Sequence, residues 1–347
     1  MNSQWLDSIL KAVPTLRVAV VGDFFLDEYL MIDSSRDELS RETGLTAYQV
    51  VERRALPGAA GTVVNNLQAL GCGSVMAVGL IGDDGRGLEL SRGLEMAGTD
   101  TEYLLKSPER ATPTYTKPMR DEGGTQRELN RLDIKNWSPT PQGLEARIIE
   151  ILNYLQNHVD AIIIADQVEE EGCGVITRSV RDHLADSVKE YGTAPVFVDS
   201  RSHMGEYRHV ILKPNEAEAR WAVGSTPGDT VSIREIGRRL QRQTHRPVFL
   251  TRGEKGQLVF SRDAVWEVDC LPAAGPVDIV GAGDSTMAGI VTAHCAGLPL
   301  PECALFGNLV ASVTVTKLGT TGTASPAELQ ERMVQYAGQK LIRRDDE

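Results

Sequence analysis

The 347-residue sequence predicts an α/β fold: a doubly wound, mostly parallel sheet with helices on both faces, plus a small inserted β-sheet. Three observations support this prediction. Short runs recur that are apolar at every position, as in strands buried on both faces of a sheet. Stretches of helical periodicity separate these runs, and a few polar, extended segments interrupt the alternation.

Each apolar run ends in turn residues, which marks where a strand stops. The predicted strands are RVAVVGD, SVMAVGLIGD, DAIIIADQ, APVFVDS, HVILKPN and RPVFLTRG. Helices are predicted over 143–158, 174–191 and 232–243. The region 298–340 is mainly helical, with a Gly/Thr-rich turn at 317–326, and the N-terminal MNSQWLDSILKAVP predicts an amphipathic helix.

The polar extended segments predict a lid over the main sheet. These segments are 46–54, 112–120 and 126–133. The DEGG stretch between the last two predicts a hairpin. We therefore expect lid insertions at approximately 31–57 and 110–134 within a single domain that spans 1–347, since no internal repeat or low-complexity linker divides the chain.

Composition argues against several classes of protein. A net charge of −12 repels nucleic acid and anionic membranes, so neither is expected as a partner. No apolar run approaches the roughly 20 residues of a membrane span. The N-terminus lacks the apolar core of a signal peptide, so a cytoplasmic location is expected. The five cysteines show no CxxC spacing and the histidines are scattered, which argues against a disulfide framework or a zinc site.

Polar residues follow the predicted strands one after another. They are Asp23, Asp83, Asp166, Asp199, Asn215 and Arg252. Ligands of open α/β sheets bind outside the carboxyl ends of the strands. The sequence therefore places a site at this edge of the sheet.

The stretch DIVGAGDSTMAG at 278–289 is the strongest candidate for chemistry. Gly281, Ala282 and Gly283 leave backbone N–H groups accessible at a predicted helix start, where the helix dipole favours an anion. Asp284 follows directly and can accept a proton from a hydroxyl group. The alternative is that Asp284 merely caps the helix.

Other motifs allow both a functional and a structural interpretation. In KPNEAE, Asn215 and Glu218 share one helical face and suit the water shell of Mg²⁺, or they form an ordinary helix start. TRGEKG at 251–256 borders a nucleotide phosphate or forms a tight loop. Asp23 and Asp27 hold sugar hydroxyls, or they are a cap and a solvated acid. The small residues of PGAAG at 57–61 allow either close ligand approach or close helix packing.

The order of these motifs resembles the ribokinase-like, or PfkB, family of carbohydrate kinases. The resemblance covers 17 to 333 and is most specific in DIVGAGDS. Within the family, RDEGGTQRELNRLD and VTKLGTTGTAS are most similar to the bacterial heptose-7-phosphate kinases. No stretch resembles the nucleotidyltransferase domain that is fused to some of those kinases.

The resemblance implies an ATP-dependent, Mg²⁺-requiring kinase of a sugar or sugar phosphate, with K⁺ as an optional monovalent cation. Asp284 would be the general base, and Gly281, Ala282 and Gly283 the anion hole. Asn215 and Glu218 would organise Mg²⁺ through water. The nucleotide would be bordered by Thr251, Arg252, Gly253, Gly256, Asn308, Gly319 and Thr320. The sugar would be bound by Asp23, Asp27, Gly58, Ala59, Thr62, Asp166 and Arg131. A homodimer formed through the lid is also implied.

The sugar half departs from the pattern of the family. Paired glycines appear here as Gly58 and Ala59, and a sugar-contacting Asn aligns with Thr62. Where heptose kinases carry Tyr-Gly-Lys-Gly, this chain reads DQVEEEG at 166–172, so glutamates replace a phosphate-binding lysine. The cations that could compensate are Arg120, Arg127, Arg131 and Arg201.

Alternative functions remain open at this point. The acceptor is either a heptose 7-phosphate or a non-phosphorylated sugar or nucleoside. A catalytically silent sugar or nucleotide sensor would keep the same fold without needing both a base and a metal organiser. A dinucleotide oxidoreductase is disfavoured because GDFFLD, and not GxGxxG, follows the first strand.

Overall fold

The structure, a computed structural model, describes residues 3–190, 194–226, 229–273, 275–336 and 338–345. It confirms the predicted α/β class. The strands are β1 Arg17–Gly22, β2 Phe24–Asp33, β3 Glu38–Leu39, β4 Thr46–Ala47, β5 Val50–Ala59, β6 Ser74–Gly82, β7 Leu104–Ser107, β8 Thr114–Asp121, β9 Gln126–Glu128, β10 Leu132–Ile134, β11 Ala161–Asp166, β12 Val196–Ser200, β13 Ile211–Leu212, β14 Val248–Thr251, β15 Gln257–Phe260, β16 Val265–Val268 and β17 Ile342–Asp345. The α-helices are α1 Ser3–Ala12, α2 Ala60–Ala69, α3 Gly85–Met96, α4 Gln142–Leu155, α5 Arg178–Glu190, α6 Glu216–Ala222, α7 Ile233–Thr244, α8 Ala282–Cys295, α9 Leu300–Thr314 and α10 Pro326–Val334.

The main sheet has the order β17-β16-β15-β14-β13-β12-β11-β1-β6-β7. All six predicted strands lie in its parallel part, which runs from β7 to β14. Beyond β14 the strands pair antiparallel. Short turns join β14 to β15 and β15 to β16, and β17 adds to β16 from the far end of the chain. The apolar-run criterion did not find β16 and β17, which form this edge and are only partly apolar.

Hydrophobic layers cover both faces of the main sheet. Alternate side chains of β1 show the division, since Val18 and Val20 pack into one layer and Ala19 and Val21 into the other. The first layer contains α2, α8 and α9, and the second contains α4, α5 and α7. This two-sided burial explains why the strands are apolar at successive positions.

A second sheet of order β10-β8-β2-β5, with β9 paired to β8, forms the lid. It begins at Phe24, earlier than the predicted residue 31, because the chain leaves the main sheet at Gly22. A Cβ at Gly22 would lie 2.1 Å from the carbonyl oxygen of Ala165, so this close approach requires glycine. The predicted hairpin is confirmed, since Asp121 pairs with Gln126 across the DEGG turn.

Helix α5 begins at Arg178 and not at 174, since residues 171–176 form a turn around the carboxylate of Asp23. Tyr191, the predicted end of this helix, lies outside the described residues. Within the described ranges, none of the helices combines the length and apolar character needed to cross a membrane.

Candidate active site

A cleft of about 1210 Å³ lies at the carboxyl ends of the parallel strands, between β14, α8 and α9. Both the strand ends and the start of α8 open into it. The predicted residues that it brings together are Asn215, Glu218, Thr251, Gly253, Gly256, Ala282, Gly283, Asp284 and Asn308. Motifs that are far apart in the sequence therefore meet at one site.

The GAGD segment forms the first turn of α8. Gly281 caps the helix at φ +79°, a left-handed conformation that favours glycine. The amide of Ala282 donates to the carbonyl of Ile279 at 3.1 Å, so this N–H is used within the protein. Gly283 is exposed to the cleft. The amides of Gly283 and Asp284 therefore remain as the anion-binding groups of the helix start.

Asp278 holds this segment in place, a role that the sequence did not reveal. Its carboxylate accepts from the amide of Val280 and from the amide of Gly319, each at 3.0 Å. The predicted turn at Gly319 is thereby tied to the GAGD segment, and Thr321 lies next to Gly281. Thr62, at the start of α2, contacts Gly281 from the other side.

Asp284 is half-buried and its environment opposes ionisation. Burial and the nearby carboxylate of Asp199 raise the pKa of Asp284 to about 7, with Asp27 adding to the effect, although Lys213 and Arg201 oppose it. A carboxyl with a pKa close to neutral pH is suited to proton transfer.

Lys213 is a buried cation next to the anion-binding turn. Its Nζ lies 2.8 Å from Oδ2 of Asp199, and both side chains are largely buried. The same Nζ is 3.6 Å from the Cβ position of Gly283. The KPN motif contained this lysine, but a single lysine after a short strand gives no signal in the sequence that distinguishes it from a surface cation.

Asn215 and Glu218 form a capping box at the start of α6. The Asn215 side chain accepts from the Glu218 amide at 2.9 Å, and Glu218 Oε2 accepts from the Asn215 amide at 2.8 Å. Burial and Asp199 raise the pKa of Glu218 to about 7. The helix-start interpretation is thus confirmed, and Glu218 also lines the cleft.

The TRGEKG loop presents its glycines, and not Arg252, to the cleft. The guanidinium of Arg252 pairs with Glu216 at 3.2 Å and with Glu267 at 3.1 Å, which fixes it outside the lining. A Cβ at Gly256 would lie 2.0 Å from the carbonyl of Val268. The cation of this loop at the cleft is Lys255.

Asn308 is buried on α9, and its side-chain amide is engaged by the protein. Its Oδ1 accepts from Gln257 Nε2 at 2.6 Å, and its Nδ2 donates to the carbonyl of Asp269 at 2.9 Å. Asn308 therefore shapes the wall of the cleft through these bonds.

Two of the predicted sugar-binding acids hold the protein together. The carboxylate of Asp23 accepts from the backbone amides of Gln167, Val168 and Val175 at 2.8–3.0 Å. Oδ2 of Asp166 accepts from Ser200 Oγ at 2.7 Å and from the Tyr207 hydroxyl at 2.8 Å. Both acids are almost completely buried, and burial raises the pKa of Asp23 to about 6.

Asp27 lies near enough to Asp284 to raise the pKa of that carboxyl. Its carboxylate pairs with Lys117 at 3.2 Å and occupies the space that a Cβ at Gly58 would need. The next residue, Ala59, adopts φ +53° and ψ −118°, a conformation rarely found for an L-residue. Arg131 binds Asp133 through two bonds and covers the ring of Tyr115.

A smaller pocket under the lid adjoins the cleft. Its lining residues include Asp23, Phe25, Arg110, Tyr115, Lys135, Glu169, Glu170 and Arg201. Gln167 and Arg201 line both this pocket and the cleft, so the two spaces meet there. Sequence reasoning had missed Tyr115 and Lys135.

Comparison with known proteins gives consistent matches. A family model described as pfkB family carbohydrate kinase matches residues 18–328. The chain is 31% identical over 337 residues to the bifunctional protein HldE of Trichlorobacter lovleyi, covering 95% of this chain and 65% of that protein. It is 32% identical over 333 residues to that of Citrifermentans bemidjiense, covering 95% and 66%. The chain thus spans slightly less than two thirds of these relatives.

Solved structures share the fold at lower sequence identity. Arabidopsis thaliana ribokinase, complexed with ribose and ATP, superposes with a TM-score of 0.67 at 19% identity, covering 92% of this chain and 98% of that one. Escherichia coli phosphofructokinase-2, in complex with substrates and products, gives a TM-score of 0.70 at 16% identity and covers 92% and 99%.

Proposed function

The chain belongs to the pfkB family of carbohydrate kinases, and we propose that it transfers the γ-phosphoryl group of ATP to a hydroxyl of a sugar or sugar phosphate, with Asp284 as general base. The family was the one its motifs predicted. The observation that carries the proposal is the position of Asp284, a carboxyl with a pKa of about 7 beside free helix-start amides in a large cleft.

Asp284 accepts the proton of the acceptor hydroxyl as the hydroxyl oxygen attacks phosphorus. A base of this kind contributes about 10²–10⁴-fold to a rate. The ionised form of Asp284 does this work, and the cations Lys213 and Arg201 favour that form against burial and Asp199. The remaining catalysis comes from alignment and charge stabilisation.

The amides of Gly283 and Asp284 and the ammonium of Lys213 stabilise the negative charge of the transferring group. Both are preorganised, because α8 fixes the amides and Asp199 fixes the ammonium. Gly281 supplies the left-handed turn, and Ala282 closes it through the carbonyl of Ile279.

The cleft residues fit a nucleotide with its magnesium ion. Gly253 and Gly256 allow close approach of a phosphate or ribose, and α9 bounds the far wall. Within the described residues, no cluster of three His, Cys, Asp or Glu side chains could hold a metal alone. Glu218 and Asn215 would therefore hold Mg²⁺ through water, which suits an ion that keeps its hydration shell and neutralises phosphate charge. A K⁺ site beside Gly319 and Thr320 stays a prediction.

A homodimer through the lid is part of the proposal. The inserted segment 31–57 exposes apolar side chains, among them Leu39, Leu45 and Val51, at 70%, 71% and 56% exposure. Such a surface favours association. We expect sedimentation equilibrium to give the mass of two chains, and a variant with Leu39→Glu and Val51→Glu to give the mass of one. A monomeric wild type would contradict this.

Replacing Asp284 with Asn tests the base directly. We expect phosphoryl transfer from Mg-ATP to fall by about 10³-fold, because the amide cannot accept the proton. ATP affinity, measured by calorimetry, should change little. Asp263→Asn, at an exposed position between β15 and β16 and outside the lining of the cleft, is the matched control and should leave turnover intact.

Near-normal turnover of the Asp284→Asn variant would overturn the assignment. ATP binding without transfer to any of a panel of sugars, nucleosides and sugar phosphates, heptose 7-phosphate included, would favour a ligand sensor.

A further inference from the structure

We call the pocket under the lid the acceptor pocket, because it would receive the phosphoryl acceptor of the proposed kinase. Two of its three lining cations form ion pairs. Lys135 Nζ lies 2.9 Å from Glu170 Oε1, and an Arg201 guanidinium nitrogen lies 3.8 Å from Glu169 Oε1.

The third cation, Arg110, is buried, and its two terminal nitrogens donate to the backbone carbonyls of Ser138, Pro139 and Cys173. Its Nε has no hydrogen-bond partner but is itself buried, so a ligand in the pocket does not reach it. A ligand that enters the pocket therefore meets terminal nitrogens that already have partners.

The charges that line the acceptor pocket also cancel. Against the three cations stand three carboxylates, those of Asp23, Glu169 and Glu170. The basic residues of the lid that could have compensated are paired as well. Their partners are Asp27 for Lys117, Asp37 for Arg120, Glu122 for Arg127 and Asp133 for Arg131.

We infer that the acceptor is an uncharged sugar or polyol, and that Glu169 and Glu170 exclude acceptors that already carry a phosphomonoester in this pocket. The inference rests on the proposed kinase function and specifies its acceptor. A phosphomonoester carries about −1.5 to −2 charges at neutral pH and is normally held by unpaired arginine or lysine. To bind here, the phosphate would have to displace the carboxylates of Glu169 and Glu170 from Arg201 and Lys135. Both carboxylates would stay nearby and repel it.

Uncharged hydroxyl groups suit the same surroundings. Carboxylates accept hydrogen bonds from hydroxyls, and Glu169 and Glu170 offer several acceptor positions. Phe25 and Tyr115, whose rings pack edge to face at 5.0 Å, supply an apolar wall for the carbon skeleton.

The first test compares each sugar with its own terminal phosphate ester. D-mannose, D-fructose and sedoheptulose would be assayed beside mannose 6-phosphate, fructose 6-phosphate and sedoheptulose 7-phosphate, with Mg-ATP as donor. We expect the free sugar of any reactive pair to have the higher kcat/KM, by about tenfold or more, the effect of roughly one charge contact. A higher value for the ester would overturn the inference and leave the kinase assignment standing.

The second test needs no turnover and uses inorganic phosphate as the probe. Wild type would be saturated with a non-hydrolysable ATP analogue, whose γ-phosphate fills the anion site at the start of α8. It should then show little further stabilisation by phosphate in a thermal-shift titration. The double variant Glu169→Gln/Glu170→Gln releases Lys135 and Arg201, so its apparent phosphate affinity should rise by about tenfold. Glu171→Gln is the control, because this exposed neighbour removes the same charge outside the pocket.

Equal phosphate affinity in wild type and the double variant would overturn the role of the two glutamates. Loss of transfer to every acceptor would instead count against the proposed function, since the phosphate titration does not depend on it.

Discussion

The cleft and the acceptor pocket treat charge in opposite ways. In the cleft, Asp284 and Glu218 are held close to Asp199, and burial together with this repulsion raises both pKa values to about 7. In the acceptor pocket, Lys135 and Arg201 have carboxylate partners, and Asp23 is satisfied by three backbone amides. In the cleft, burial and a neighbouring like charge oppose ionisation of the two acids. In the acceptor pocket, these charged side chains are paired or hydrogen-bonded within the protein.

This difference fits the roles proposed for the two regions. An acid that takes up a proton near neutral pH needs a raised pKa, and nearby carboxylates raise it by destabilising the ionised form. A pocket that only positions an uncharged ligand needs shape and hydrogen-bond acceptors, and pairing its charges prevents it from attracting competing anions. The Asp284→Asn variant is expected to lower activity the most, because it removes the carboxyl that is proposed to accept the proton.

Lys213→Met would sharpen the comparison from the cleft side. We expect kcat to fall by about 100-fold, as for loss of one preorganised charge contact to a transition state. If Asp284 is the general base, as proposed, it acts in its ionised form, and kcat/KM of the wild type should fall as pH drops through about 7. Lys213 lowers the pKa of Asp284, so removing it should move this acid limb to higher pH.

Lys213→Met/Asp199→Asn is the matched variant. Asp199 raises the pKa of Asp284, so removing both partners should return the acid limb toward that of the wild type. The double variant also avoids leaving Asp199 buried without a partner, so its thermal stability should exceed that of the single variant. An acid limb at the same pH in all three proteins would show that Lys213 has a structural role only.

Ala59→Gly tests the strained backbone between the two regions and has the smallest expected effect. Its φ of +53° with ψ of −118° suits glycine, so the substitution should raise the free energy of unfolding by about 1 kcal/mol. Urea denaturation measures this change. Ala60→Gly, one residue later in α2, should do the opposite, because Ala60 is helical and fully buried. Equal destabilisation by both would show that Ala59 is not strained.

The fold was largely readable from the sequence where burial dictates the pattern. The runs that became β1, β6 and β11 are apolar at successive positions because both of their faces are covered. The start of the lid was misplaced, because Gly22 and Phe24 continue an apolar run while the backbone changes sheets. Apolarity reports that a segment is buried, but not which sheet it joins.

The sequence predicted the motifs of the site, but not the ion pairs that its charged residues form. The GAGD turn, the NxxE motif and the TRGEKG loop were found because small residues and carboxylates at fixed spacings restrict the backbone locally. Arg252 looked like a nucleotide contact, yet Glu216 and Glu267 hold it away from the cleft. Lys213, Lys135 and Tyr115 were missed because nothing adjacent to them in the sequence distinguishes them.

The sequence by itself determined the α/β class, the family and the local geometry of the GAGD turn, since these depend on hydrophobic periodicity and on glycine conformations encoded within a few residues. Only the tertiary structure decided which charged side chains form ion pairs with one another. It brought Asp199 to Lys213, Glu170 to Lys135 and Glu169 to Arg201 across long stretches of chain. The pKa of a carboxyl and the availability of a cation depend on neighbours a few ångströms away in space, and folding chooses those neighbours.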